Sequence, residues 1–169
     1  MQDLYQIVDD QDNLIGAKPR NEIDFEHDYY RISGLWLTNS KGQILLAQRL
    51  MTKDKDPGKW GPAAAGTLEV GETYESNMYK EAEEEIGLTG VDFKLGPKMK
   101  FTTPRHSFCQ WFTAVSDKEE SEFVPQPTEV ECVKWIDEKE FFEDVRNNPD
   151  KYLPTMSLIV EALYPDEKG

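Results

Sequence analysis

The spacing of apolar positions changes along the chain, and each change predicts an element. "LYQIVDDQDNLIGAK" (4–18) alternates on either side of a polar "DQDN" and predicts a β-hairpin. "YRISGLWLTNSKGQILLAQR" (30–49) reads as two apolar strands joined at "NSKG". A polar, lysine-bearing loop follows, "MTKDKDPGKW", and then "GPAAAGTLEV", a short strand of small residues. From Thr73 the spacing lengthens. Tyr74, Met78, Ala82 and Ile86 recur every fourth residue, an apolar stripe on a helix that Thr73 can cap and Gly87 can stop. "VDFKLGPKMKFTT", "HSFCQWFTAV" and "VECVKWI" predict three more strands, with the polar loop "SDKEESEFVPQPTE" before the last. Asp137 with Glu140 resembles a capping box opening the helix "EKEFFEDVRNN", and a final helix, "TMSLIVEALY", follows Pro154. Mixed strands and helices with no boundary between them predict one α+β domain over residues 1–169, without internal repeats.

Composition narrows the function classes. A formal net charge of −14 repels phosphate backbones and anionic membranes, so nucleic-acid binding and membrane association are not expected. The same charge suits metal cations. No apolar run approaches the roughly 18 residues of a membrane span. The opening "MQDLYQIVDDQDN" lacks the basic and apolar regions of a secretory signal. Cys109 and Cys132 are the only cysteines, without zinc-type spacing, and are expected as free thiols in a reducing cytoplasm.

One feature conflicts with simple electrostatics. Glu81, Glu83, Glu84 and Glu85 crowd the end of the predicted helix. Successive helical residues turn by about 100°. Glu81, Glu84 and Glu85 therefore share a face beside the apolar stripe, while Glu83 points elsewhere, to water. Each like-charge neighbour costs about 0.2–0.5 kcal/mol on an exposed helix, and more when half-buried, unless a cation offsets it. A charge run of this kind is ordinarily a wet face, with Lys80 pairing Glu84 at i+4. Hard oxygens converging on one point suit Mg²⁺ or Mn²⁺ instead.

The surrounding spacing favours the metal. Gly66, Glu72, Lys80-Glu81-Ala82, Glu84-Glu85 and Gly87-Leu88 resemble the Nudix box, with one departure: Lys80 stands where the family has arginine. The resemblance implies the Nudix fold, a mixed β-sheet sandwiched between α-helices, here with the hairpin 4–18 as an N-terminal extension and the box at 66–88. It implies Mg²⁺ (or Mn²⁺) held by Glu81, Glu84 and Glu85, and catalytic roles for Glu84, Glu72 and Lys80. It also implies hydrolysis of a diphosphate linkage, typically in a nucleoside diphosphate joined to another group. Dimers are frequent in the family, so a homodimer is among the assemblies it allows. Lysine cannot reproduce arginine's two-pronged contact with a carboxylate, so activity is expected to survive at a reduced level.

Outside the box, Arg49 ends an apolar strand just before Lys53, Lys55 and Lys59. In so acidic a chain, Arg49 and Lys59 are candidate diphosphate contacts, with Lys53 and Lys55 nearer to background. Arg105-His106, at the start of a strand, could reach substrate, and capping a sheet edge is the favoured reading. Glu129 and Glu131 share a strand face by alternation and are candidate alternative bases, against the plain reading of an exposed strand edge. The four tryptophans are expected in the core. The N-terminal stretch, "NSKGQILLAQR" and "DPGKWGPAAAG" resemble the Nudix branch related to isopentenyl-diphosphate isomerase. Those isomerases use a cysteine in the strand entering the box; Pro62-Ala63-Ala64-Ala65 offers no proton donor or acceptor there, which favours hydrolysis. The reading from a different class is a catalytically idle domain that binds a nucleotide or a protein.

Overall fold

The computed structural model describes residues 2–167. Strands β1 (Leu4–Val8) and β2 (Leu14–Pro19) form the expected hairpin, and the Asp9 carboxylate accepts from the Gln11 and Asn13 amides to close its turn. Strand β3 (Tyr29–Thr38) is the spine of a nine-stranded mixed sheet. One edge runs parallel to β8 (Ser107–Val115) along its whole length, and β8 pairs outward with β7 (Lys94–Phe101). The other edge is shared: β1 at Tyr29 and Tyr30, β6 (Ala64–Thr67) at residues 32–35, and β4 (Gln43–Arg49) at Thr38.

The "NSKG" connection therefore differs from a full hairpin. β3 and β4 meet at a single register pair, Thr38 with Ile44, and then part. β4 spends its other edge on β9 (Val130–Asp137). The segment 60–67 crosses the gap between the parted strands. It begins as β5 (Trp60–Gly61) on β4 and ends as β6 on β3. Pro62, which has no N–H to give to a ladder, lies at the break, so the one strand expected over "GPAAAGTLEV" is two.

Helix α1 (Tyr74–Ile86) lies on one face of the sheet. Thr73 caps it through a reciprocal pair of bonds with Ser76, and Gly87 closes it in the left-handed conformation. Its stripe buries Met78, Ala82 and Ile86 completely against Leu35, Leu37 and Phe112. The opposite face is covered by α2 (Glu138–Asn147), capped by Asp137, and α3 (Met156–Leu163), which bury Phe141, Phe142 and Met156 on Trp36, Trp111 and Ile136. Leu35, Trp36 and Leu37 thus divide between the two cores by simple alternation. The result is the expected α+β sandwich with a mixed sheet between helices. Among the described residues no helix is long and apolar enough to cross a membrane, and Cys109 and Cys132 are free thiols.

Candidate active site

The parting of β3 and β4 places the C-terminal half of α1 over the crossing segment. Approach there is close enough that a Cβ on Gly66 would overlap the Glu81 carboxyl group. Glycine leaves room for the Glu81 carboxyl group in this position, which explains that position in residues rather than in motif. The backbone N–H of Ala65 donates to Glu85 Oε2 at 3.3 Å. Beside this contact opens a cavity of about 710 Å³.

One wall of the cavity is acidic. Glu69, Glu81, Glu84 and Glu85 line it, with Glu129 nearby on the rim of β9. Burial raises Glu81 to about 7, with Glu84 and Glu72 adding to the rise against the pull of Lys80. Burial also pushes Glu85 up to about 8, reinforced by the charge of Glu81 and opposed by the Ala65 bond. Glu84 is exposed and Glu83 is exposed to water away from the cavity lining, as expected from spacing. Five cations also line the cavity: Arg20, Arg49, Lys53, Lys55 and Arg105. Burial and the adjacent Arg105 lower Lys55. Trp111, Phe101 and Ile159 give the cavity an apolar end.

Glu72 and Lys80 stand behind the acidic wall rather than on it. Lys80 Nζ lies 2.6 Å from Glu72 Oε1, 3.4 Å from Glu69 Oε1 and 3.8 Å from Glu81 Oε1. The expected i+4 pair with Glu84 is therefore not the one formed. Glu69 and Glu72 come from the preceding turn and reach Lys80 through the fold, and with Glu81 they offer three carboxylates where i+4 spacing offers one. Burial works against the Lys80 charge, yet the Glu72 bond and the charges of Glu72, Glu69 and Glu81 outweigh it and hold the ammonium above its usual range. On Glu72, the bonds from Lys80, the Glu69 amide and Asn77 likewise overcome burial and keep the carboxyl below its usual range.

Other expected residues divide. Arg49 reaches the cavity wall, and its Nε donates to the Lys55 carbonyl at 3.1 Å. Lys59 does not line the cavity; its near partner is Asp56 at 4.0 Å. Glu129 lines the cavity and pairs with Lys53 at 2.7 Å, whereas Glu131 is exposed and off the wall. A bulge in the β4–β9 pairing at Gln48 and Arg49 interrupts the simple alternation on which their shared face rested. Lys53, Lys55, Arg20 and Arg105 reach the cavity although spacing gave them no priority. Arg105 stacks on Phe25 at 3.9 Å and lines the cavity, rather than merely capping a sheet edge. Grouping just before the box was the only sequence signal for Lys53 and Lys55, and Arg20 carried none. Asn77 gave none. It is fully buried, accepts from Ser33 Oγ, and donates to Glu72 Oε2 at 2.9 Å and Glu81 Oε1 at 3.5 Å, bridging the two glutamates.

Among the described residues no three acidic, histidine or cysteine side chains stand close enough to form a finished metal cage.

Comparison with known proteins agrees with this architecture. The NUDIX domain family model matches residues 29–156. A Nudix hydrolase of Pseudomonas aeruginosa, itself uncharacterised, is 31% identical over 165 residues, 97% of this chain and 94% of the relative. Another from Yersinia pestis is 31% identical over 131 residues, 77% of this chain and 70% of the relative. An isopentenyl-diphosphate Delta-isomerase of Clavibacter michiganensis is 24% identical over 172 residues, covering 97% of this chain and 87% of the isomerase. In fold, a crystal structure from Deinococcus radiodurans superposes with a TM-score of 0.83 at 20% identity, covering 95% of this chain and 99% of that one. A family model spanning most of the chain and two relatives at 31% identity lead to one assignment: this protein belongs to the Nudix hydrolase family.

Proposed function

We propose that the cavity binds a small diphosphate compound, such as a nucleoside diphosphate derivative, and hydrolyses it with Mg²⁺ or Mn²⁺ held by Glu81, Glu84 and Glu85. The observation that carries this reading is the meeting of acidic and cationic side chains around one cavity of about 710 Å³, a volume within the range of small-molecule sites. The acidic wall fits a hard divalent cation. Its donors are carboxylate oxygens, and two of them are held protonation-prone by burial and mutual repulsion, a cost that a cation removes. When bound, the metal neutralises diphosphate charge and lowers the pKa of coordinated water. The chain's own residues do the rest. Arg49, Lys55 and Arg105 hold phosphate oxygens by charge-assisted bonds. Glu84 or Glu129, both on the wall, takes the proton of the attacking water. Glu72 and Lys80 keep Glu81 in place. The free thiols of Cys109 and Cys132 suit a reducing compartment, in our reading the cytoplasm.

The strand entering the box lacks the cysteine that the isomerase reading requires. Ala63 and Ala64 are buried at the entry to the box and carry no ionisable group. Cys109 lines the cavity, but burial pushes its thiol far up, away from the thiolate an acid–base shuttle needs. A panel of nucleoside di- and triphosphates, nucleotide sugars and isopentenyl diphosphate, with Mg²⁺ and Mn²⁺, tests the assignment. Turnover of at least one member is expected. No turnover with metal bound would leave the domain as a binding module, and unchanged metal affinity in both Glu84→Gln and Glu85→Gln would remove the metal assignment.

A further inference from the structure

The family match begins at Tyr29, so the N-terminal hairpin lies outside it. Yet the hairpin is laced into the box. The Gln6 amide N donates to the Leu68 carbonyl at 3.0 Å, and the Val70 amide N donates to the Leu4 carbonyl at 2.9 Å. More telling is the Gln6 side chain, which is 3% exposed. Its amide nitrogen donates to the carbonyls of Glu69 and Glu72, each at 2.7 Å. Its amide oxygen accepts from Arg31 Nη1 at 2.9 Å. Both protons of the amide are committed, one to each end of the turn 69–72, and the oxygen is committed as well.

That turn is where the acidic wall is anchored. Gly71 bends it with φ +89°, and Glu72 N donates back to the Glu69 carbonyl at 3.1 Å. Glu72 Oε2 accepts from the Glu69 amide at 2.8 Å while Oε1 holds Lys80 at 2.6 Å. Lys80 in turn approaches Glu81 at 3.8 Å. The geometry points to Gln6 as a positioning residue: from outside the family match it fixes the turn that sets Glu72, and through Glu72 sets Lys80 and Glu81. Arg31 orients Gln6, and Arg31 is itself fixed by Asp12 at the hairpin tip, 2.7 Å from its Nε. The hairpin is thereby a brace for the site rather than an appendage. Removing the amide leaves the Glu69 carbonyl with the Glu72 amide alone and takes this donor from the Glu72 carbonyl, so the turn loses its tie to the hairpin.

The inference rests on the proposed role of the acidic wall, and its test separates the two. Gln6→Met removes both donors at similar length. Gln6→Glu replaces the nitrogen by an oxygen facing the same carbonyls while keeping a partner for Arg31, so it carries the test if the methionine variant does not fold. Each is measured for kcat and KM on the substrate found in the diphosphate panel. Mn²⁺ affinity is measured separately, from the electron paramagnetic resonance of free Mn²⁺. Loss of an outer support of this kind is expected to lower kcat about tenfold at KM within about twofold, and to weaken Mn²⁺ about tenfold. In a Glu72→Gln background the same Gln6 substitution adds less than about twofold, because the path it acts through is already cut. Values of kcat and Mn²⁺ affinity within twofold of wild type in a folded variant would overturn the inference, even if melting drops. So would a full, additive loss in the Glu72→Gln background. A wild type that binds Mn²⁺ but turns over no diphosphate refutes hydrolysis while the Mn²⁺ comparison still decides the role of Gln6; a wild type that binds no Mn²⁺ overturns both.

Discussion

The two faces of the central sheet are built to opposite specifications. Under α2 and α3 the contacts are large and aromatic: Trp36 sits edge-on to Trp111 and within 5.7 Å of Phe141, which meets Tyr152 at 5.6 Å. Under α1 the buried residues are smaller, with Ala63, Ala64 and Ala82 among them, and the helix edge carries carboxylates that repel one another. Small side chains bring α1 close to β6, and that closeness is what forces Glu81 and Glu85 out of water. The difference teaches that one face secures the sheet while the other accepts electrostatic strain for the sake of a site. Removing bulk and removing charge should therefore have opposite signatures on the two faces.

The largest effect is expected on the aromatic face. Phe141 is fully buried, and Phe141→Ala should cost about 3–5 kcal/mol through lost contacts and the cavity left behind. Denaturant unfolding measures it, and kcat per folded molecule should stay near wild type. A large fall in kcat with little loss of stability would break the division between the faces. On the other face, Glu85→Gln should do the reverse. Turnover should fall by about 100-fold or more, at the upper end of what loss of a metal-site support costs. Metal-free melting should rise by about 3 °C, as a buried repelling charge is removed. Lower melting of the metal-free variant would show that Glu85 is a structural group.

Acidity sharpens the same contrast without mutation. Glu81 and Glu85 are raised to about 7 and about 8, above the ordinary carboxyl range near 4.5. Between those limits the unfolded chain has already released protons that the folded chain retains, so metal-free stability falls as pH rises from about 4.5 to about 8 and levels beyond it. Carboxyls lowered by partners, Glu72 and Asp144, act oppositely, and their contribution is lost only as pH falls below the ordinary carboxyl range. Thermal melts from pH 5 to 8 should slope downward without metal and flatten with saturating Mn²⁺. A metal-free slope that is flat or rising would mean that these carboxylates are not strained.

What could be read in the sequence was local. The α1 boundaries followed from Thr73, Gly87 and a four-residue apolar repeat, all of which act within the helix itself. The shared face of Glu81, Glu84 and Glu85 followed from helical rotation alone. What could not be read was set by chain segments far apart. The parallel union of β3 with β8 joins Tyr30 to Ser107, and no spacing rule identifies a partner at that distance. Arg20 and Arg105 reach one cavity only because β1, β2 and the loop before β8 converge on it. Asn77 and Gln6 looked like unremarkable polar residues because their importance lies in burial, which the fold creates.

Lys80 is the residue where local and long-range readings diverge most, and it gives the smallest predicted effect. Read locally, lysine in place of arginine loosens an i+4 pair with Glu84. In the fold, the ammonium is surrounded by Glu69, Glu72 and Glu81, a shell that a point charge with three donors satisfies from several directions. Arginine would offer a planar fork to one or two of these carboxylates and has a bulkier head to accommodate. The gain in directed bonds and the loss in fit should nearly cancel. Lys80→Arg is therefore expected to change kcat by no more than about threefold, under about 1 kcal/mol of barrier. Lys80→Met, which leaves three carboxylates without a cation, should lower kcat by about tenfold or more. Steady-state rates of the two variants decide the matter. A tenfold loss in Lys80→Arg would show that the compact ammonium is itself required, and that this chain has rebuilt the support of its acidic wall around lysine.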